Sequence, residues 1–287
     1  MDLKKYMQEK KRLVDSHLED YLKSCDCEPK LGEAMRYSLL GDGKRIRPIL
    51  AIAAAEACGG DATKVKPIAI ALEMIHAFSL IHDDLPAMDD DDLRRGKPTN
   101  HKVYGEATAI LAGDGLFSEA FRCLAAGGVS ADIISDIATA AGPQGMIGGQ
   151  MIDLLSESKD ISSDDLEKLH SKKTGALITV SVLAGAKAVS ANESHLKNLK
   201  IFGDSIGLAF QVVDDILDIE GDEKETGKPS GSDEKKKKST YPSILGLDKS
   251  KKLAKNLVDR AFSSLAEFDS NADPLRQIAR FVVSRKK

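Results

Sequence analysis

The chain has 287 residues, 42% of them hydrophobic and 30% charged, with a formal net charge of −4. That composition suits a folded protein with a substantial core and excludes a disordered chain. The near balance of 41 basic and 45 acidic residues argues against a dedicated nucleic-acid binder, which needs a basic excess.

Helical spacing dominates, because Ala, Leu, Lys and Glu are abundant and β-branched alternation is rare. The Lys-rich start, Met1 to Leu13, has no apolar core and so does not read as a secretory signal. It opens a helix over 3–24. A polar turn over 25–30 holds Cys25 and Cys27, and a C-x-C pair without a nearby histidine is a poor zinc site. These two, with Cys58 and Cys123, are expected to be reduced thiols in a cytoplasmic protein. Helices follow at 31–41 and 46–58. The second is opened by Gly43-Lys44-Arg45-Ile46-Arg47-Pro48, whose basic groups beside a helix N-terminus suit an anion. An exposed basic cap would look the same, and the Walker pattern is missing.

The next helix, 63–85, contains the most apolar stretch, 68–81, which Glu73 and His76 interrupt. No window is expected to reach the roughly 18 apolar residues of a membrane span. Residues 86–103 break the pattern with Pro86, Gly96 and Pro98. Helices are then expected at 104–126, 130–141, 145–156, 163–171, 174–188 and 193–220. Ser162, followed by Asp164 and Asp165, looks like an N-cap for the fourth of these. A second break, 221–239, holds Gly221, Gly227, Pro229, Gly231 and the run Lys235 to Lys238. Helices at 240–247, 250–268 and 273–284 close the chain. Neither a composition shift nor a repeat marks a boundary, so one all-α domain over 1–287 is expected.

Two aspartate clusters carry the chemistry. In the second, Asp214 and Asp218 are four apart and share a helix face, with Asp215 roughly 100° round. Their flanks, Phe210, Val212, Val213, Ile216 and Leu217, are apolar, which disfavours a merely solvated face. Two such charges one turn apart repel by roughly 3 kcal/mol at an effective dielectric near 20. A compensating cation is needed, and hard oxygen donors with room for water favour Mg²⁺. The first cluster runs from His82-Asp83-Asp84 to Asp89-Asp90-Asp91-Asp92, and Pro86 means that Asp89 is reached through a kink or loop. Arg94 and Arg95 follow it directly. Carboxylates, metal and arginines together suit a polyphosphate. Lys173-Thr174-Gly175 and Lys228 are weaker single signals.

These motifs resemble one family, the trans-prenyltransferases or isoprenyl diphosphate synthases. The markers are GDGKRIRP (41–48), SLIHDDLPAMDDDDLRRGKPTNHKVYGEATAILAGD (79–114), GGQMIDL (148–154), KTGAL (173–177), FQVVDDILD (210–218) and KSTYPSILGL (238–247). The two extra residues near Pro86-Ala87 resemble bacterial farnesyl and plant-type geranylgeranyl diphosphate synthases. The resemblance implies a bundle of mostly antiparallel helices around a deep central cavity, usually as a homodimer. It implies three Mg²⁺ per active site. Asp83 and Asp89, with Asp84 assisting, would hold two, and Asp214, supported by Asp215 and Asp218, the third. Arg94, Lys173, Gln211 and Lys228 would hold the allylic diphosphate (dimethylallyl or geranyl diphosphate), with Lys238 closing over it. Lys44, Arg47, His76 and Arg95 would hold isopentenyl diphosphate. Thr174 would support the first carbocation, and Gln150 would line the cavity.

The physics of the implied reaction agrees. Cations stabilise the departing diphosphate, and apolar walls keep water from the carbocation. Phe78 and Ser79 lie five and four residues before Asp83, where a growing tail would run. In similar enzymes an aromatic there goes with a C15 product, so farnesyl diphosphate is expected, with the C20 product, geranylgeranyl diphosphate, as the alternative. A terpene cyclase would usually lack the second D-D-x-x-D, a non-catalytic partner subunit would have damaged motifs, and a structural metal binder would leave the arginines unexplained.

Overall fold

The computed structural model describes residues 1–157, 159–220 and 239–284. Asp2 caps α1 (Leu3–Lys23) by accepting from the Lys5 N–H at 3.1 Å. Val14, Leu18 and Leu22 form the buried stripe of α1, at helical spacing. α2 (Pro29–Leu39) opens on a proline, whose missing N–H costs nothing at a first helical position. α3 (Ile46–Ala57) is buried almost all round, because it packs against both α4 (Lys66–Asp83) and α10 (Ala176–Ala188). Its run Ala53-Ala54-Ala55 keeps that double contact close.

One sequence expectation is corrected at α4. The 3₁₀ turn Ala62–Val65 runs into it, and the 22-residue stretch Ala62–Asp83 is long and apolar enough to cross a membrane. Glu73 and His76 do not lower its hydropathy enough to disqualify it. Here it is a core helix, with 67% of its most apolar window buried. It ends at Asp83, two residues earlier than expected, because Pro86 cannot continue the bond ladder.

The break at 86–103 is more ordered than its composition suggests. Strands β1 (Leu93–Arg94) and β2 (Lys97–Pro98) pair antiparallel around Arg95-Gly96. Both central residues have positive φ, 52° and 76°, as a two-residue hairpin turn requires. α6 (Glu106–Ala126) forms where a helix is expected over 104–126, and a short α5 (Asn100–Tyr104) precedes it within the expected break, with Gly105 at φ 85° making the corner.

α7 (Ala131–Ala141), α8 (Met146–Ser156) and α9 (Ser163–His170) follow, the last capped by Ser162 accepting from the Asp165 N–H as expected. No gap separates α9 from α10. A π turn, Ser171–Gly175, keeps the chain helical between them. α11 (Glu193–Glu220), α12 (Tyr241–Leu245), α13 (Leu247–Ser264) and α14 (Asp273–Ser284) complete the all-α fold.

The core forms two clusters. One gathers α1, α2, α4, α6 and α7, with Leu18, Leu72, Met74, Ile75 and Leu116 fully buried. The other gathers α3, α10, α11, α13 and α14 around Phe202. Phe78 and Met146 of the first cluster and Leu166 and Ile178 of the second border one large cavity.

Candidate active site

The cavity has a volume of about 1420 Å³. Asp83 reaches it from the last turn of α4. Asp89 joins Asp83 because the chain folds back after Pro86, and the Asp89 N–H donates to the Asp83 carbonyl at 2.9 Å. Burial raises the Asp83 carboxyl from its usual 3.8 to about 6; Asp89 and Asp84 add to the rise, and Lys173 opposes it. Asp84 is placed differently. It is 3% exposed and does not line the cavity. Arg94 Nε donates to both its oxygens, at 2.7 and 2.8 Å. Burial still holds the Asp84 carboxyl above its ordinary value against the pull of Arg94.

The basic residues gather beside this wall. Lys44, Arg47, His76, Arg94 and Arg95 all line the cavity. Arg95 lies over the 41–47 loop and donates to the Asp42 carbonyl. The Arg47 Nε is buried without a hydrogen-bond partner in the protein. Burial first, and then the nearby Arg95, lower the Arg47 guanidinium to about 10. His76 is held well below its usual value by burial and by Arg47, Arg95, Arg94 and Arg45. A pocket that disfavours its own cations in this way is one that an anion relieves.

The opposite side is built on close backbone approach. A Cβ on Gly149 of α8 would lie 2.2 Å from the Lys173 backbone nitrogen, and one on Gly207 of α11 would lie 2.7 Å from the Gly175 Cα. Both glycines let the π turn sit between the two helices, and the turn delivers Lys173 and Thr174 to the cavity. Lys173 Nζ donates to Asp153 at 2.6 Å. Thr174 Oγ1 donates to Gln211 Oε1, and Gln211 Nε2 to Asp215 Oδ1, each at 3.2 Å. Asp215 Oδ2 also accepts from the Tyr241 N–H at 2.9 Å. Asp215 is thus bonded within α11 and to the start of α12, and both it and Asp214 line the cavity. Asp218 lies one turn further along α11, off the cavity wall. Lys228 and Lys238 fall outside the described residues.

Phe78 lines the cavity and is 8% exposed. Its ring packs on Phe117 of α6 at 4.7 Å and edge-on to His82 at 4.9 Å, and Phe121 follows Phe117 at 5.2 Å. Ser79 lines the cavity and bonds its own helix, donating to the His76 carbonyl at 2.9 Å. Gln150 is on the lining, and its Oε1 is buried without a partner.

The sequence reading missed Asp153, Phe117, Arg45 and Glu73. Glu73 carried a signal, being a lone acid inside an apolar helix. Phe117 carried none, since nothing local says which aromatic of α6 faces Phe78.

Helices that bring oxygen donors and a cluster of guanidiniums to one deep cavity define an isoprenyl-synthase type of architecture. The comparisons agree. The family model for polyprenyl synthetase matches residues 28–273. A chloroplastic geranylgeranyl pyrophosphate synthase of Catharanthus roseus is 47% identical over 99% of this chain and 82% of its own length. A farnesyl diphosphate synthase of Geobacillus stearothermophilus is 44% identical over 99% and 98%. The apo crystal structure of an FPP/GFPP synthase from Zymomonas mobilis superposes with a TM-score of 0.87 at 38% identity, over 98% of each chain. The chain belongs to the polyprenyl synthetase family, and it is a prenyltransferase.

Enzymes of this family generally use Mg²⁺. Among the described residues no three acidic, imidazole or thiol groups converge on one point. Mg²⁺ keeps several waters and takes one or two carboxylates together with substrate phosphates. The donor set is right in kind: Asp83 and Asp89 supply only hard oxygens, and burial, with Asp89 and Asp84 nearby, disfavours the charged form of Asp83 until a cation arrives.

Proposed function

We propose that the protein condenses isopentenyl diphosphate with dimethylallyl and then geranyl diphosphate to form farnesyl diphosphate. The observation that carries the C15 product is the pair Phe78 and Phe117, packed ring against ring on the cavity wall below Asp83. Lys173, Arg94 and Gln211 hold the allylic diphosphate, joined by Lys228 and Lys238. Lys44, Arg47, His76 and Arg95 hold isopentenyl diphosphate. Asp83, Asp89 and Asp214 would hold Mg²⁺, which would supply positive charge to the leaving diphosphate. The Thr174 hydroxyl, held by Gln211, presents its oxygen dipole to the allylic carbons, and Gln211 is itself held by Asp215. Phe78, Phe117 and Met146 exclude water from the tail. The proton lost in condensation passes to the released pyrophosphate.

The chain acts as one catalytic domain and as a homodimer. Exposed apolar residues off the cavity wall support the second point: Ile110 and Leu111 on α6 and Leu155 on α8. The reducing cytoplasm is the compartment, in keeping with four free cysteines.

The test is a product assay. Purified protein with labelled isopentenyl diphosphate, dimethylallyl diphosphate and Mg²⁺ should give a C15 alcohol after dephosphorylation. A C20 alcohol would keep the reaction and remove the C15 reading, and no condensation would remove both.

A metal prediction follows from Asp83. Its folded-state pKa, about 6, lies above the usual 3.8, so the metal-free fold is relatively favoured while this group is protonated. That contribution is full below about pH 4 and is lost as pH rises through about 6. Mg²⁺ requires the carboxylate, so its stabilisation has the opposite sense. At about a hundredfold excess over Kd, Mg²⁺ is expected to raise Tm by roughly 5 °C near pH 8 and far less near pH 5. Equal shifts at the two pH values in a thermal melt would contradict this assignment.

A further inference from the structure

The buried arginine of the 41–47 loop has no part in the reading above, yet the loop is organised around it. Arg45 sits at φ 53°, a left-handed conformation that a long side chain adopts only when its surroundings hold it there. Its side chain is 2% exposed, and all three guanidinium nitrogens are engaged. Nε donates to Asp15 Oδ1 of α1 at 2.8 Å, Nη1 to Glu73 Oε1 of α4 at 2.7 Å, and Nη2 to the Gly41 carbonyl at 2.9 Å. Arg45 therefore pins the loop to two helices and closes it on itself. Lys44 precedes Arg45, and Arg47 stands two residues on in the first turn of α3; both line the cavity, as Arg45 and Glu73 do.

Glu73 is the second half of the device. It is 3% exposed, and its charge acts on Arg45, Arg47 and Arg95 together. One buried carboxylate thus offsets three guanidiniums that would otherwise repel one another. The Gly43 backbone rests on two of them, for a Cβ there would lie 2.7 Å from Arg95 Nη1 and 3.2 Å from Arg45 Nη1. The buried Nε of Arg47, which has no protein partner, is what this framework leaves for a ligand.

We propose that Arg45 and Glu73 are positioning residues for isopentenyl diphosphate: Glu73 fixes Arg45, and Arg45 fixes the 41–45 loop and the start of α3, which aim Lys44 and Arg47 into the cavity. The inference rests on the reading that Lys44, Arg47, His76 and Arg95 bind that substrate. Neither positioning residue needs to touch it, because every nitrogen of Arg45 is already bonded within the protein. Misplacing a binding loop weakens the substrate held there and leaves the allylic side intact.

The test is steady-state kinetics with each substrate varied in turn. Arg45→Gln and Glu73→Gln are expected to raise KM for isopentenyl diphosphate about tenfold, with KM for geranyl diphosphate within about twofold and kcat within about threefold. Arg45→Lys, which keeps the charge but reaches fewer acceptors, is expected to fall between wild type and Arg45→Gln. Asp15→Asn removes the charge from only the half-buried arm, so it tests the network if a core variant fails to fold. It is expected to shift the same KM by about two- to threefold. An unchanged KM for isopentenyl diphosphate, or an equal rise in both KM values, in the folded variants would overturn the proposal. Arg47→Gln separates the two levels. If it leaves KM for isopentenyl diphosphate unchanged, the subsite reading falls and the positioning proposal with it. If it raises that KM while the Arg45, Glu73 and Asp15 variants do not, the positioning proposal alone falls.

Discussion

Replacing Asp83 by asparagine is expected to lower kcat by about 10²–10³-fold, the cost typical of removing one preorganised contact to developing charge. The same change at Asp84 is expected to act through KM for the allylic diphosphate instead. The two aspartates are adjacent but lie about 100° apart around the end of α4. Asp83 lines the cavity with its carboxyl pushed up to about 6, the mark of a buried acid with too much negative charge nearby. Asp84 is off the cavity and gripped by Arg94 through a fork of bonds at 2.7 and 2.8 Å. Its role is to hold Arg94, whose guanidinium lines the cavity. Burial alone would lower the pKa of Arg94, and the bonds to Asp84 more than reverse this, so the arginine stays charged. The two variants separate in a melt as well as in kinetics. Asp83→Asn is expected to lose the Mg²⁺-dependent rise in Tm, and Asp84→Asn to keep it. If both lost it equally, Asp84 would be a metal ligand and the division of labour drawn here would be wrong.

That division was not legible in the sequence, which groups Asp83, Asp84 and Asp89 as one acidic run. What the sequence did carry was periodicity. The apolar stripes of α1, α4 and α11 fall where helical spacing puts them, and Ser162 caps α9 as its residue type requires. The motifs also mark the cavity side of most helices, because a charged residue inside an apolar stretch has to face something polar. Long-range pairing left no local trace. Arg94 takes Asp84 as its close partner at 2.6 Å and stands 3.9 Å from Asp91, because the chain has folded back after Pro86 onto the end of α4. Lys173 reaches the cavity because the chain between α9 and α10 stays helical as a π turn, where residue types alone predict a gap. Gly149 and Gly207 permit that turn, but their role is set by Lys173 and Gly175, which are far away in sequence. The same holds for Arg45, which reads as one more basic residue of a binding loop until Asp15 and Glu73 are brought to it.

Product length is where the structure changes what a single substitution should do. The sequence points to Phe78 alone as the floor, five residues or about 7.5 Å of helix before Asp83. In the fold Phe78 packs at a tilt against Phe117, and both rings line the cavity at a centroid separation of 4.7 Å. Removing one ring therefore leaves the other at the same level. Phe78→Ala is expected to convert the C15 product into a mixture of C15 and C20, because Phe117 still obstructs part of the opening. Phe78→Ala with Phe117→Ala is expected to give mainly C20 and longer chains, since the next aromatic, Phe121, lies a further turn along α6. Phe117→Ala alone should resemble Phe78→Ala. Truncating a buried phenylalanine costs about 3–5 kcal/mol when the surroundings cannot collapse. The assays therefore need a melt showing that each variant is folded at the working temperature. The rates report the mechanism independently of length: the metal and diphosphate contacts are untouched, so kcat for the first condensation should stay within about threefold of wild type. Products confined to C15 in the folded double variant would show that neither ring sets the limit, and the floor would have to be sought among the α8 residues that line the same cavity, Met146, Ile147 and Met151.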